Sequence, residues 1–253
     1  MQNFFLSPAF GQTRGPGHAA CDQLIQHAIP AARKAGIRII WLNWGLSSQD
    51  VTDLPPAVKR AFGFYANPAG ASDVFAEQAG STCLDKHGAP RTASTGHRGL
   101  GTECGTLDLD GEKINAGRLL MRNTWNAALF PPLDAIYTAG TQLPHKPDVW
   151  IHKDRMSGLW GAKTACEEFL EKEGIRTLLF AGVNTDQCVG GTLTDAFSKG
   201  YDCVLLGDGC GTSSPEDAQR SWEWNAGRTF GFCVSCEGFA RGVEGMVDGK
   251  AAV

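Results

Sequence analysis

IRTLLFAGVNTDQCVGGTLTDAF, residues 175–197, holds the pattern that decides the fold. Ile175 to Val183 is a near-continuous apolar run, the pattern of a strand covered on both faces. Beyond Asn184, the residues Val189, Leu193, Ala196 and Phe197 recur at helical spacing, and Gly200 stops the pattern. A buried strand that passes at once into an amphipathic helix is the repeating element of a parallel sheet.

The flanking segments repeat it. Asp148 to Lys153 reads as a short strand, followed by a helical face of Ala162, Ala165, Cys166, Phe169 and Leu170 with Gly174 as its stop. Asp202 to Gly207 is the next strand, after which Ser214 and Pro215 supply a cap and first helical residue, with Glu216 and Asp217 in the first turn. Strand starts at 148, 175 and 202 recur at about 27 residues, the size of a βαβ unit. Nearer the N-terminus, Leu24, Ile25, Ala28, Ile29 and Ala32 form a helical face that Gly36 ends, Pro30 kinks it or starts its last segment, and Ile37 to Leu42 is a strand. Between Asn43 and Asp148 the periodicity fades, with Asn115 to Leu129 the one predicted helix; such an excursion carries substrate recognition or merely decorates the surface. The expectation is a single α/β domain over residues 1–253, with a doubly wound, mostly parallel sheet and helices on both faces, a three-layer αβα arrangement.

Composition limits the partners. The 253 residues are 42% hydrophobic and 20% charged, enough apolar matter to fold. A net charge of -4, with Lys and Arg scattered singly, offers no stripe for a nucleic-acid backbone. No apolar stretch is long enough for a membrane span, so neither nucleic acid nor membrane is an expected partner. Nine cysteines and no basic-then-apolar leader in Met1 to Gly17 point to reduced thiols and a cytoplasmic setting.

The chemistry concentrates at the ends of two strands. Cys188 falls in the first turn of a helix at the carboxyl edge of the sheet, where open α/β sheets bind ligands. Helix N-termini lower a thiol's pKa and offer N–H groups to an oxyanion, which makes Cys188 a candidate nucleophile; a small buried hydrophobe packing helix on sheet is the other reading. One strand earlier, Lys153 ends a β run before Asp154-Arg155-Met156-Ser157-Gly158. An ammonium there would lie near Cys188 and favour thiolate, whereas a Lys at a strand end is by itself ordinarily a solvated charge.

The segments AGVNTDQCVGGTLTDAF, WIHKDRMSG and MQNFFLSP together resemble the isochorismatase-like cysteine hydrolase superfamily, in consistent order from Met1 to about Gly231. The resemblance implies that Cys188 attacks a small amide- or ureide-type C–N bond through a thioester, with Lys153 as charge stabiliser. It places a cis peptide at Val183-Asn184, an oxyanion hole of the Asn184 and Cys188 amides, and a pocket near Ser157 and Trp160, with Trp125 a further candidate lining residue. It also implies a small-molecule substrate and a homo-oligomer. The family's catalytic Asp directly precedes the Met-Gln pair, so the chain is expected to lack its first strand and its general base, with an apolar run ending in Asp just upstream of Met1. Trp41 to Ser47 contains no His where nicotinamidases hold a metal, so no metal or other cofactor is expected. Isochorismatases proper cleave a vinyl ether without a thiol, and that chemistry is one alternative; a binding scaffold with impaired catalysis is the other.

Weaker features remain. Cys233 and Cys236 have C-x-x-C spacing with no second pair for zinc. His145 and His152 flank the Lys strand as conceivable partners for Cys188, or as surface and packing residues. Trp41 and Trp44 suit a pocket or a core equally, Asp208 reads as a loop anchor, and the glycines from Gly11 to Gly17 follow no strand and make no dinucleotide fingerprint.

Overall fold

The computed structural model describes residues 1–63, 99–247 and 249. Its strands are β1 (Ile40–Trp44), β2 (Thr106–Leu109), β3 (Glu112–Asn115), β4 (Val149–Lys153), β5 (Thr177–Val183), β6 (Asp202–Gly211) and β7 (Gly231–Val234). The backbone divides into two compact units: Met1, Arg14–Asn43 and Pro131–Val253 form one, and Gln2–Thr13 with Trp44–Phe130 form the other.

The first unit is the α/β layer structure. β4, β5 and β6 begin at 149, 177 and 202, against expected starts of 148, 175 and 202. β5 runs parallel to β6 with Thr177 opposite Asp202, and β6 parallel to β7 with Cys203 opposite Gly231. Successive residues of a strand face opposite sides, and β6 shows the consequence. Leu205 enters a core with Ile151, Leu170 and Leu193, under helices Ala165–Lys172 and Gly190–Ser198. Leu206 enters the opposite core with Ala28, Leu24, Cys236 and Phe239, under the segment Pro16–Lys34 and helix Cys236–Val247. Helices therefore lie on both faces. Each fully buried Leu contributes about 1.5–3 kcal/mol.

The helices depart from the expected faces in instructive ways. Ala162 and Ala165 are exposed, because Thr164 caps the helix by accepting the Glu167 N–H at 3.3 Å and rotates Cys166, Glu167 and Leu170 inward. Glu167 is buried because Lys199 meets it at 2.8 Å. Phe197 is half-exposed. In the segment from Pro16 to Lys34, Pro30 lacks an N–H for the ladder, and the turn before it loosens to a π-helix over Leu24–Ala28, where the Ile29 N–H bonds back to Leu24 O.

The described strands form two ladders in this unit, β1–β4 and β5–β6–β7, instead of one continuous sheet. The first is tied down by a buried ion pair: Asp148 Oδ2 meets Arg33 at 2.7 Å and accepts the Trp41 indole N–H at 2.9 Å.

The second unit contains no helix over 115–129. The apolar residues Ala116, Leu119, Leu120, Met121, Ala127 and Leu129 are buried, but Gly117, Leu120 and Asn123 take positive φ and coil the chain around the side chain of Asn126. Its carboxamide accepts the Leu120 N–H at 2.7 Å and donates to Ala116 O and Arg118 O, leaving a single 3₁₀ turn at Trp125–Ala127. The sequence spacing was helical; local side-chain bonding won. Gln2 is equally buried, donating to Trp44 O and Ala127 O at 2.8 and 2.7 Å. β2 and β3 form a hairpin across Asp110-Gly111, both at positive φ.

Replacing Asp148 by Ala leaves the Arg33 guanidinium, 23% exposed, facing Ile136 O alone, and should cost about 3 kcal/mol. Urea unfolding would show this as a lowered midpoint at unchanged slope.

Candidate active site

Cys188 and Lys153 meet. β5 ends in a cis Val183-Asn184 peptide, and the following turn, Thr185–Val189, is π-helical with the Gln187 and Val189 N–H groups both bonded to Asn184 O. Cys188 sits on this turn. Lys153 is the last residue of β4, 7% exposed, and its ammonium donates to Arg155 O at 2.7 Å, Met156 O at 2.6 Å and Cys188 Sγ at 3.4 Å. The thiol also reaches Met156 Sδ at 3.4 Å. Burial pulls the Lys153 pKa down, and the adjacent Cys188 pushes it back up. The Met1 α-amine is buried, its pKa lowered to about 6 chiefly by desolvation, with Cys188, Cys21 and Lys153 as its titratable neighbours.

Two sets of contacts hold the turn. Thr192 donates to Cys188 O at 2.7 Å and accepts the Gly158 N–H at 3.1 Å, joining the thiol's helix to the loop after β4. Asp186 accepts from Thr212 at 2.5 Å and Ser214 at 2.7 Å, fixing the turn to the segment after β6. Gly190 permits close packing: a Cβ there would lie 2.7 Å from the Trp222 ring and 2.8 Å from Thr185 O. Sequence reasoning missed Thr192, Asp186 and Met156. Their only signal was proximity to Cys188 and Lys153, since their long-range partners lie 26 to 34 positions away.

The other predicted site residues are placed as follows. Ser157 is buried, its hydroxyl accepting the Leu159 N–H at 3.0 Å. Trp160 is half-exposed, donating to Asp154 at 3.1 Å beneath the Arg155 guanidinium, 4.3 Å from the ring centre. Asn184 is buried, its amide donating to Gln187 at 3.3 Å. Trp125 belongs to the second unit, stacked on Phe10. His145 is exposed, while His152 accepts the Trp150 indole N–H at 3.1 Å. Trp44 is core, packed edge-on against Phe62. Asp208 accepts the Cys236 N–H at 2.7 Å and so anchors the last helix, with Cys236 buried at its start. No helix among the described residues is long and apolar enough to cross a membrane.

Residues 110–233 match the family model of the isochorismatase domain. The chain is 27% identical over 215 residues to the ureidoacrylate amidohydrolase RutB of Acinetobacter baylyi, covering 85% of this chain and 67% of that one. With the RutB of Stutzerimonas stutzeri it shares 32% over 126 residues, 50% of this chain and 46% of that one. The matches thus span 67% and 46% of these relatives' own lengths. A cysteine hydrolase of Pseudomonas syringae has the same fold, with TM-score 0.61, 18% identity and coverage of 96% and 89%. So has the nicotinamidase PncA of Bacillus subtilis, with TM-score 0.58, 16% identity and coverage of 92% and 94%. The chain is thus similar to isochorismatase-family proteins, in sequence over residues 110–233 and in fold over most of its length.

Two measurements follow. Burial raises the thiol pKa of each of the seven other described cysteines, to about 11 for Cys104, Cys166 and Cys203. Iodoacetamide at pH 7.5 should therefore modify Cys188, beside its ammonium, at least tenfold faster than those seven, as read by peptide mass mapping. Because the Lys153 pKa is lowered, its charge is lost below the ordinary 10.5. A rate profile should fall on the alkaline side with a midpoint under that value, and Lys153→Arg should move the fall to higher pH.

Proposed function

We propose that the protein is a cysteine-dependent hydrolase of a small amide- or ureide-type C–N bond. The observation that carries this reading is the 3.4 Å contact between Lys153 Nζ and Cys188 Sγ at the ends of β4 and β5. The contact puts a hydrogen-bond donor and a positive charge on the sulfur that would act as the nucleophile. The amidohydrolase and nicotinamidase names of the relatives supply the substrate class.

In the proposed sequence, Cys188 Sγ bonds to the substrate carbonyl carbon as its proton passes to a base. The oxyanion is met by the backbone N–H groups of Asn184 and Cys188. Collapse breaks the C–N bond, and the base returns the proton to the leaving amine. Water then attacks the thioester, cleaving the S–C bond, releasing the acid and restoring the thiol. The Lys153 ammonium stays charged throughout and balances first the thiolate and then the oxyanion. Trp160, held flat under Arg155, offers a planar face to a conjugated substrate, with Ser157 as a further lining residue. No step draws on a metal or other cofactor, and catalysis requires no nucleic-acid or membrane partner.

With the protein isolated from its source, a panel of primary amides and ureides should give ammonia release from at least one member. Cys188→Ala should lower kcat/KM at least about a thousandfold while leaving the thermal midpoint unchanged. A variant within tenfold of the parent would overturn the thiol mechanism. Pyruvate release from isochorismate that survives alkylation of Cys188 would assign ether hydrolysis in its place.

A further inference from the structure

The loop that holds the Lys153 ammonium is itself held at Gly158. The Gly158 N–H donates to Thr192 Oγ1 at 3.1 Å and its carbonyl accepts the Thr164 hydroxyl at 2.7 Å, so both of its main-chain polar groups end on side chains. Three and two residues before it, Arg155 O and Met156 O take the ammonium. The helix Gly190–Ser198 lies close against this loop, since a Cβ at Gly191 would lie 3.8 Å from Ser157 Cβ, with room for one methyl group between them.

Three hydroxyls of that helix bond back to the carbonyl four residues earlier: Thr192 to Cys188 O at 2.7 Å, Thr194 to Gly190 O at 2.9 Å and Ser198 to Thr194 O at 2.9 Å. Such a bond is local and common in helices. Thr192 differs in being buried and in accepting a bond from outside its helix, that of Gly158. A hydroxyl has one proton to give. Thr192 gives it to Cys188 O, so the Gly158 N–H meets a lone pair and the direction of both bonds is fixed. From the carbonyl of Cys188 the path to the ammonium therefore runs through Thr192 and Gly158 to Met156 O, with hydrogen bonds of 2.7, 3.1 and 2.6 Å.

We infer that Thr192 is a positioning residue, whose hydroxyl ties the loop 154–158 to the main chain of Cys188 and so keeps the Lys153 ammonium on the sulfur. This rests on the proposed role of Cys188 as nucleophile. Gly158 is buried, and without the hydroxyl its N–H is left with no acceptor in a place closed to water. The loop then relaxes outward until that N–H is solvated. Arg155 O and Met156 O move with it, and the ammonium follows the two carbonyls that hold it. A displacement of about 1 Å between reacting groups and their support is enough to cost up to about a hundredfold in rate.

Thr192→Val keeps the side-chain shape and removes the hydroxyl. Under iodoacetamide, read by peptide mass mapping, its Cys188 should react at least about tenfold more slowly relative to Cys104 than in the parent protein. Thr192→Ser should restore most of that rate, and Thr194→Val, which loses the equivalent bond within the same helix, should leave it unchanged. General loosening of the fold has the opposite sign, because it speeds every thiol. On an amide that the parent hydrolyses, kcat should fall at least about tenfold in Thr192→Val with KM within about threefold. Thr192→Ala carries the same expectations should the valine variant not fold. An unchanged Cys188 rate in the hydroxyl-free Thr192 variants, or an equal fall in Thr194→Val, overturns the inference alone. A parent Cys188 that reacts no faster than Cys104 overturns the nucleophile reading and the inference with it.

Discussion

A lysine ammonium sealed among two backbone carbonyls and a thiol sets the terms for everything around it. Lys153 is 7% exposed, and a cation taken out of water must recover its hydration from fixed partners. Arg155 O and Met156 O provide two of them, which obliges the chain after β4 to fold back over its own strand end within three residues. That return places Ser157 and Gly158 against the helix bearing Cys188. Gly158 has no room for a side chain, since a Cβ would lie 2.4 Å from Leu42 Cδ2, and its N–H is taken by Thr192. The third partner of the ammonium is then the thiol itself.

The thiol's side is held just as firmly, by groups from the opposite direction. Thr185 bonds Gln219, which donates in turn to Glu223 at 2.7 Å, while Asp186 accepts two hydroxyls from beyond β6. Both hydroxyl bonds go to a carboxylate and are the stronger for it. The turn is thus fixed by β6 and its following helix, and the lysine by β4 and its following loop. Thr192 bonds to both sides, so the separation of Sγ and Nζ depends on how well β4 and β6 are positioned across β5 and its helix.

What could be read from the sequence follows from this division. The strand starts, the capping glycines and the places of Cys188 and Lys153 depend on local pattern: apolar runs, helical spacing and stop signals within about 27 residues. The Asp110-Gly111 hairpin is also local, but its strands are four residues each, too short to carry a periodicity of their own. The rest depends on partners distant in the chain. Glu167 occupies a buried helical face because Lys199 is there, and Asp148 is buried because Arg33 lies 115 positions away. Asn126 shows the reverse error. Ala116, Leu120, Ala127 and their neighbours carry a helical rhythm, yet one buried carboxamide collects their backbone groups and the helix never forms.

The two ladders reach the site separately. Lys153 ends β4, whose described partner is β1, whereas Cys188 follows β5, whose described partner is β6. No main-chain ladder among the described residues joins β4 to β5, so side chains and loops set the contact between ammonium and thiol: Lys153 on Cys188, Cys188 on Met156, and Gly158 on Thr192. A substitution that loosens one of these shifts Sγ relative to Nζ without breaking a strand pairing, which makes the geometry of the site more sensitive than the fold to change at these positions.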